Sequence, residues 1–242
     1  MERFYEEGFI TEVLRPLASG KEATIYLCRA GEFAVGHDLV VLKAYRPRDQ
    51  RDFRNNQTYT AGRVVRGRPG RAIATKTRFG RAVDEALWQE HEWETLQALN
   101  AAGVAVPSPV VAFGPAILMG YLGDSEGAAP QLKDLRPDGA QAHDLFAQTM
   151  REIERMLFHN VVHADLSPFN LLVWEDRVRV IDLPQAVDPR FNPNAWDLLA
   201  RDLRNVCAWF AGRSIQADPD AIAADLRTGF ELAELVPPDL QL

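Results

Sequence analysis

Four polar side chains between residues 163 and 182 have the types, order and spacing that suit phosphoryl transfer: His163, Asp165, Asn170 and Asp182. Residues 171–174 and 178–181 are apolar and β-rich with a short polar turn between them, so we predict a hairpin that gathers these side chains at one end. The Asp165 carboxylate can accept or orient the proton of an attacking hydroxyl, and the side-chain oxygens of Asn170 and Asp182 are ligands that Mg²⁺ prefers. The alternative is a set of turn-capping Asp and Asn residues beside a structural histidine.

Lys43 interrupts an otherwise apolar segment, residues 39–45, that we predict as a strand. Burying an ammonium group costs several kcal/mol unless it is paired, so Lys43 needs an anion. Nucleotide phosphates and a carboxylate on a neighbouring helix are the candidates. The alternative is a lysine that extends its ammonium group into water at the end of the strand.

The carboxylate partner of Lys43 should come from a helix predicted over residues 83–100, whose apolar stripe is Leu87, Trp88, Trp93, Leu96 and Leu99. Glu90 and Glu92 both lie on this helix but point about 200° apart, so only one of them can face Lys43. Glu92 precedes Leu96 by four residues and therefore lies beside the packed face. We choose Glu92 as the partner and keep Glu90 as the alternative.

Two glycine-containing segments could bind the rest of a nucleotide. Residues 18–23 form a turn between two predicted strands, with small residues at 18, 19, 20 and 23. Free backbone N–H groups in such a turn make an anion-binding concavity; a plain hairpin is the alternative. Residues 120–123 follow a predicted strand and carry a glycine at each end. This segment is a candidate hinge whose backbone groups could bind an adenine edge.

The remaining elements are predicted from apolar periodicity and turn signals. They are strands at residues 10–17, 24–29, 110–113 and 116–119, and helices at residues 139–159, 194–210 and 221–235. Asp202, on the helix at 194–210, could support the catalytic segment, although a surface carboxylate is an equal interpretation. We find no internal repeat.

The composition indicates a globular protein of one large domain or two lobes, with 242 residues of which 47% are hydrophobic and 25% charged. No apolar run approaches the ~20 residues that span a bilayer, so we expect no membrane association. Cys28 and Cys207 are too few for a disulfide framework. We expect both to be reduced and buried, in a cytoplasmic protein.

Charge is distributed unevenly along the chain. The net charge is −7, yet residues 43–85 carry twelve Lys or Arg and four Asp or Glu, a local balance of +8. Residues 46–80 show little apolar periodicity, and we interpret them as a long mobile insertion. The basic region could bind RNA, an acidic partner or substrate phosphates, or it could be a solvated loop.

Together these motifs resemble the RIO family of atypical serine/threonine kinases. The similar segments are residues 19–26, beginning Ser-Gly-Lys-Glu-Ala, the helix segment at 88–96, the hinge at 117–123, the His-Ala-Asp-Leu-Ser-Pro-Phe-Asn loop at 163–170, and the Ile-Asp-Leu-Pro-Gln-Ala-Val loop at 181–187. The resemblance covers nearly the whole chain. The resemblance is stronger to the first RIO subfamily, in a compact prokaryotic form, because that subfamily has a mobile loop in the place of residues 46–80 and we expect no winged helix before the first strand.

The resemblance implies an α+β, two-lobed protein-kinase-like fold that binds ATP between the lobes. The expected single RIO-type domain spans residues 1–242, with an N-lobe at 1–119 that includes the mobile basic loop 46–80, a hinge at 120–123 and a mostly helical C-lobe at 124–242. Its N-lobe would hold an antiparallel sheet and one main helix.

Carried over by position, the resemblance implies a role for each site residue. Phosphates would be approached by Ser19 and Lys21 and contacted by Lys43, which Glu92 would hold. Adenine would meet backbone groups of Gly120 and Leu122, with Met119 near the ring. Asp165 would be the catalytic carboxylate, and Asn170 and Asp182 would bind Mg²⁺, or Mn²⁺ in its place. Asp182 could also accept phosphate transiently, as an ATPase would require.

Three functions are therefore open at this point. The first is an ATP- and Mg²⁺-dependent Ser/Thr protein kinase that acts on an unknown protein, or acts mainly as an ATPase switch on a ribosomal particle. The second is a small-molecule kinase of the aminoglycoside or choline type, which shares the loop spacing but usually has a different metal loop. The third is a nucleotide-gated module that binds RNA or protein. Retention of Lys43, Asp165, Asn170 and Asp182 argues against an inactive scaffold.

Overall fold

The computed structural model describes residues 1–20, 22–46 and 78–235, with only the backbone described for residues 78–86 and 88. The chain divides into two compact units. The first contains the N-terminal strands, residues of the long helix up to Gln97, and Pro107–Ala128; the second contains Ala98–Val106 and the chain from residue 129 onward. Lys21 and most of the predicted insertion at residues 46–80 lie outside the described residues.

The first unit is built on a five-stranded antiparallel sheet of order β1-β2-β3-β5-β4. Its strands are β1 Ile10–Ser19, β2 Ala23–Ala30, β3 Leu39–Tyr45, β4 Pro109–Ala112 and β5 Ala116–Gly120. A short helix α1, Glu2–Glu6, precedes the sheet, and the long helix α2 is Arg78–Ala101. Pro16 is tolerated within β1 because β1 is an edge strand, and the ladder to β2 shifts register beside it.

One face of the sheet carries the core of the first unit. Apolar side chains from α1, from four of the strands and from the loop between β2 and β3 pack together there: Phe4, Ile10, Cys28, Ala34, Val40, Leu42, Ala116 and Leu118. Leu42 and Leu118 are opposite each other on β3 and β5, and neither is accessible to solvent. The central strand β3, which bears Lys43, is thus fixed in register by burial on one face.

The second unit combines helices with a small hairpin. The helices are α3 Gly139–Phe158, α4 Ala195–Ala211 and α5 Pro219–Glu231, and the hairpin is β6 Leu171–Trp174 with β7 Arg177–Val180. Helix α3 begins at Asp138, whose carboxylate caps the Gln141 N–H at 2.9 Å. Phe146 of α3 and Phe210 of α4 pack edge to face at 5.2 Å.

A buried carboxylate ties the segment after α2 into the second unit. Glu152 of α3 accepts a hydrogen bond from the Ala105 N–H at 2.8 Å and pairs with Arg155 at 2.8 Å. The Ala105 carbonyl accepts from the Val180 N–H at 2.7 Å. Helix α3 and the hairpin are thereby joined through one residue.

The predicted elements are all present, with shifted ends. Helix α2 begins at Arg78 rather than residue 83, and α5 spans Pro219–Glu231 rather than 221–235. Helix α1 was not predicted because five residues are too few to show a helical period. Both cysteines are buried and unpaired, as expected. Among the helices that the structure describes, none is long and apolar enough to cross a membrane.

Leu42→Ala tests the packing that fixes β3. Because Leu42 is fully buried in the sheet core, its truncation should lower the free energy of unfolding by about 2 to 5 kcal/mol. Val35→Ala is the control, since Val35 is 83% exposed, and should change stability by less than about 0.5 kcal/mol. Urea unfolding of both variants measures the difference. Equal, small losses would contradict this account of the core.

Candidate active site

The first unit presents a buried ion pair on its central strand. The Lys43 ammonium lies 2.6 Å from Glu92 Oε1, with the two side chains only 9% and 4% exposed. Lys43 sits between Ile25 on β2 and Ile117 on β5, and its ammonium also lies 5.2 Å from the Tyr45 ring. Glu90 is exposed on α2. The choice of Glu92 over Glu90 as the partner is confirmed, and the pair presents a fixed cation at the sheet.

The turn between β1 and β2 differs from its prediction in one respect. The Gly20 N–H is not free for an anion, because it donates to the Ala23 carbonyl at 3.0 Å and closes the turn. Ser19 is exposed beside it, and the turn's Lys21 is outside the described residues. Arg46, which the sequence did not single out, donates to Ser19 Oγ at 2.5 Å. The Gly20 N–H is therefore used within the turn, and the Arg46 side chain is a donor at the same place.

The candidate hinge is also partly committed to internal hydrogen bonds. The Gly120 N–H donates to the Ser108 carbonyl at 2.8 Å, so only the carbonyl of Gly120 is left to meet an adenine edge. A Cβ at Gly120 would collide with Ser108 and lie 2.8 Å from the His37 ring. Met119 and Leu122 are half-buried nearby in the chain. A side chain at residue 120 would therefore require Ser108 and His37 to move.

The second unit gathers the polar side chains of the predicted hairpin end. His163 is buried, and its Nε2 is 3.0 Å from the Ile181 carbonyl. The Asn170 carbonyl accepts from the Ile181 N–H at 3.0 Å. These two contacts join residues 163–170 to the segment that carries Asp182. The predicted gathering of these residues at one end of the hairpin is confirmed.

Asn170 is oriented by a hydrogen bond from its side chain to the backbone of Asp165. Its Nδ2 donates to the Asp165 backbone carbonyl at 2.9 Å, and its own N–H donates to the Ser167 carbonyl at 2.9 Å. With Nδ2 committed, Oδ1 is the side-chain atom that could bind a cation. Asp182 has a left-handed backbone, φ 68°, which is uncommon for a residue other than glycine and occurs often at functional sites.

The Asp165 carboxylate is exposed but electrostatically perturbed. The surrounding protein removes water from it and raises its pKa above the ordinary value, while the Arg201 guanidinium opposes this rise and the Asp182 carboxylate adds to it. Asp165 and Asp182 therefore lie close enough for their charges to interact. A raised pKa makes Asp165 a better proton acceptor than an ordinary surface carboxylate.

Helix α4 supports the catalytic segment from inside the second unit. Asp202 is buried and accepts from the Leu166 N–H at 3.0 Å. Arg201 donates to the Ala164 carbonyl, and Asn205 donates to the Leu166 carbonyl at 3.2 Å. The suggestion that Asp202 supports the segment is confirmed. Arg201 and Asn205 were missed, and their only signal was a place within three residues of Asp202 on the helix.

Burial raises the pKa of Asp202 to about 8, against the opposing effects of Arg201 and of backbone hydrogen bonds from Leu166 and Ala164. Arg201 lies 3.8 Å from Asp202. The Asp202 carboxyl is therefore largely protonated near neutral pH, which lets a deeply buried acid remain without a full counter-charge.

Metal binding by protein side chains alone is not indicated. Within residues 1–20, 22–46 and 78–235, no group of three or more His, Cys, Asp or Glu side chains is arranged to hold a metal ion. Mg²⁺ does not need such a cage, because it is commonly bound by one or two carboxylates together with substrate phosphates and water. Asn170 Oδ1 and the Asp182 carboxylate fit that requirement.

Comparison with solved structures defines the class of fold. The chain aligns over 94% of its length with the Rio2 kinase from Chaetomium thermophilum, with a TM-score of 0.65, 22% identity and 65% of that chain covered. A complex of the same kinase, described as an ADP/Mg²⁺-phosphoaspartate complex, gives a TM-score of 0.64 and covers 64% of that chain. The fold is α+β and protein-kinase-like.

Sequence comparison narrows this class to one family. The RIO domain family model matches residues 24–222. RIO-type serine/threonine-protein kinase Rio1 of Thermoplasma acidophilum is 38% identical over 148 residues, covering 61% of this chain and 76% of that protein. Rio1 of Haloferax volcanii is 31% identical over 221 residues, covering 91% and 70%. Human RIO1 is 29% identical, and the chain covers 35% of its length. The chain belongs to the RIO family of serine/threonine-protein kinases, as its motifs predicted.

Glu92→Gln tests the buried ion pair. Glutamine leaves the Lys43 ammonium buried without its counter-charge, so the free energy of unfolding should fall by about 3 to 5 kcal/mol. Glu90→Gln, on the exposed face of the same helix, should change it by less than about 0.5 kcal/mol. Urea titrations of both variants measure this contrast. A variant at Glu90 that is as destabilised as the one at Glu92 would show the pairing to be wrong.

Asp202→Asn tests the protonation of the buried carboxyl. Folding raises its pKa from 3.8 to about 8, so between these values the folded chain holds a proton that the unfolded chain has released. The contribution of the Asp202 carboxyl to the free energy of unfolding is fully present below about pH 4 and is lost as pH rises toward 8. Asparagine stays neutral, so the free energy of unfolding of the Asp202→Asn variant, relative to that of wild type, should rise by about 1 kcal/mol per pH unit between about pH 6 and 8.

Urea unfolding at several pH values measures this difference in stability. Asp197→Asn, exposed on the same helix, is the control and should change the free energy of unfolding by less than about 0.5 kcal/mol. A pH-independent difference for Asp202→Asn would mean that the buried carboxyl is ionised throughout.

Proposed function

We propose that this RIO-type kinase binds ATP with Mg²⁺ and transfers the γ-phosphoryl group to a serine or threonine hydroxyl of a protein. The observation that carries the proposal is the hydrogen-bonded set in the second unit, in which Asn170 is fixed by Asp165 and joined to the segment of Asp182. Those three residues combine a proton acceptor with two oxygen ligands, and phosphoryl transfer needs little more from a protein than positioning and charge.

The nucleotide would be bound mainly by the first unit. Lys43 is the proposed phosphate ligand, because its pairing with Glu92 at 2.6 Å fixes an ammonium in place without removing its charge. Ser19 and Lys21 are proposed to approach the phosphates from the turn. For adenine we propose the Gly120 carbonyl, the Leu122 backbone and the Met119 side chain, although the Gly120 N–H is already donated to Ser108.

In the second unit, Asn170 and Asp182 would hold Mg²⁺ and Asp165 would receive the acceptor hydroxyl. When bound, Mg²⁺ neutralises charge on the phosphates; Mn²⁺ would fit the same oxygen ligands. The raised pKa of Asp165 favours uptake of the hydroxyl proton as the oxygen attacks phosphorus. His163, bound to the Ile181 carbonyl, has a positioning role.

A second use of ATP is suggested by the similar Rio2 complex, whose description names ADP, Mg²⁺ and a phosphoaspartate. We propose that Asp182 can accept the γ-phosphoryl group: a carboxylate oxygen bonds to phosphorus, the bond to the ADP oxygen breaks, and water later hydrolyses the acyl phosphate to release phosphate. The left-handed backbone at Asp182 supports a special role for its side chain. The chain would then act as an ATPase switch.

Partners beyond the nucleotide are proposed from charge alone. The +8 balance of residues 43–85 would favour binding of RNA or of a ribosomal particle. We propose that this binding takes place in the cytoplasm. Most of the basic region is outside the described residues.

We also propose one functional domain over residues 1–242, with an N-lobe at 1–119, a hinge at 120–123 and a C-lobe at 124–242. A small-molecule acceptor is disfavoured because the curated relatives are named as protein kinases.

ATP turnover with Mg²⁺ tests the proposal, with phosphate counted both in solution and on protein. Asp165→Ala and Asp182→Ala should each lower the rate by about 10² to 10⁴, and Asp182→Ala should abolish any acyl phosphate. Asp225→Ala, an exposed carboxylate on α5, should leave the rate unchanged. The ratio of free to protein-bound phosphate separates ATPase from kinase. Wild-type turnover no faster than that of the two active-site variants would refute enzymatic phosphoryl transfer.

A further inference from the structure

A cation at the mouth of the β1–β2 turn has no part in the roles assigned so far. Arg46 directly follows β3, and its N–H donates to the Glu22 carbonyl at 2.9 Å. Its Nη2 donates to Ser19 Oγ at 2.5 Å and to Thr24 Oγ1 at 3.2 Å. Ser19 and Thr24 are opposite each other in the last residue pair of the β1–β2 ladder. One guanidinium nitrogen thus connects three strands at the turn.

The direction of these hydrogen bonds determines what Ser19 can still do. Arginine has donors and no acceptor, and Nη2 carries two hydrogens, one for each hydroxyl oxygen. Ser19 Oγ is therefore the acceptor, and its own hydroxyl proton remains available to another group. Since Ser19 is exposed, that proton can be donated outward. A hydroxyl whose oxygen accepts from a cation is also polarised into a stronger donor.

The backbone hydrogen bonding of the turn makes the Ser19 hydroxyl more important as a donor to an anion. The Gly20 N–H is already donated to the Ala23 carbonyl, so it cannot also bind an anion at the centre of the turn. Among the described residues other than the chain neighbours of Gly20, the atom nearest to an ideal Cβ at Gly20 is the Ala23 carbonyl oxygen at 3.7 Å. Within that part of the chain the turn is uncrowded beside Gly20, and the Ser19 hydroxyl and the Arg46 guanidinium meet at the end of the β1–β2 ladder.

We propose that Arg46 is a positioning residue for a nucleotide phosphate: it holds Ser19 Oγ so that the Ser19 hydroxyl donates to a phosphate oxygen. The ligand class is a nucleoside di- or triphosphate. This inference rests on the proposed ATP function, and it adds a residue and a physical role that the function does not require. A simple strut between strands would stabilise the hairpin without favouring phosphate, and that difference can be measured.

Calorimetric titration of the full chain with Mg·ATP, Mg·ADP and adenosine tests the proposal. Ser19→Ala and Arg46→Met should each weaken Mg·ATP binding about tenfold, the effect of losing one hydrogen bond to a charged group. Adenosine binding should stay within about twofold of wild type. The Kd of the double variant for Mg·ATP should be within about threefold of the Kd of the single variant that binds more weakly, because both substitutions remove the same interaction. Additive losses, about a hundredfold, would overturn the proposal.

Two matched variants separate positioning from charge and from folding. Arg29→Met removes an exposed cation of the same unit, whose partner is Glu12 at 3.5 Å, and should weaken Mg·ATP binding less than twofold. Arg46→Lys keeps a donor and should recover affinity to within about threefold of wild type, but should give no gain over Arg46→Met in the Ser19→Ala background. Recovery in that background, or equal losses at residues 29 and 46, would show that charge alone acts.

Two further results have distinct meanings. Equal losses of ATP and adenosine affinity in Arg46→Met, together with a lower melting temperature of the free chain, would reduce Arg46 to a strut and overturn this inference alone. A wild-type chain that binds adenosine and Mg·ATP equally weakly would overturn the proposed function and this inference together.

Discussion

A charge withdrawn from water must find an opposite charge, accept hydrogen bonds or lose its ionisation, and this constraint organises both units. In the first unit the solution is pairing, since Lys43 and Glu92 are buried together at 2.6 Å. In the second it is protonation, since burial raises the pKa of Asp202 to about 8 although the hydrogen bond from the Leu166 N–H opposes part of that rise. Each buried group fixes a neighbouring segment in place.

The catalytic segment shows how this fixing works through the backbone. Ala164, Asp165 and Leu166 each form a hydrogen bond between their main chain and a side chain. Arg201 donates to the Ala164 carbonyl, Asn170 donates to the Asp165 carbonyl, and the Leu166 N–H donates to Asp202. None of these contacts uses the Asp165 carboxylate. Its carboxylate stays exposed for a substrate, while rigidity comes from groups that need not react.

Much of this arrangement could be predicted from the sequence because its signals are local. The His163-to-Asn170 spacing and the hairpin that follows lie within twenty residues, and helical phase alone distinguished Glu92 from Glu90. The use of individual backbone donors could not be predicted, because it depends on tertiary partners. The Gly20 and Gly120 N–H groups are donated to Ala23 and Ser108, and neither residue type reveals this. Arg46 and Arg201 were missed for the same reason, since an arginine's partner is set by the fold.

The use of the Gly20 N–H within the turn has a chemical consequence for the binding of an anion. If the turn at Ser19 offered only main-chain N–H groups, its affinity for phosphate would be set by loop shape and would change little with one substitution. A side-chain donor held by a cation behaves differently, because its orientation depends on a hydrogen bond that a single substitution removes. Arg46 immediately follows the strand that presents Lys43, so the two cations are three residues apart along the chain. A displacement of the end of β3 would therefore act on both the proposed phosphate ligand and the residue that orients Ser19.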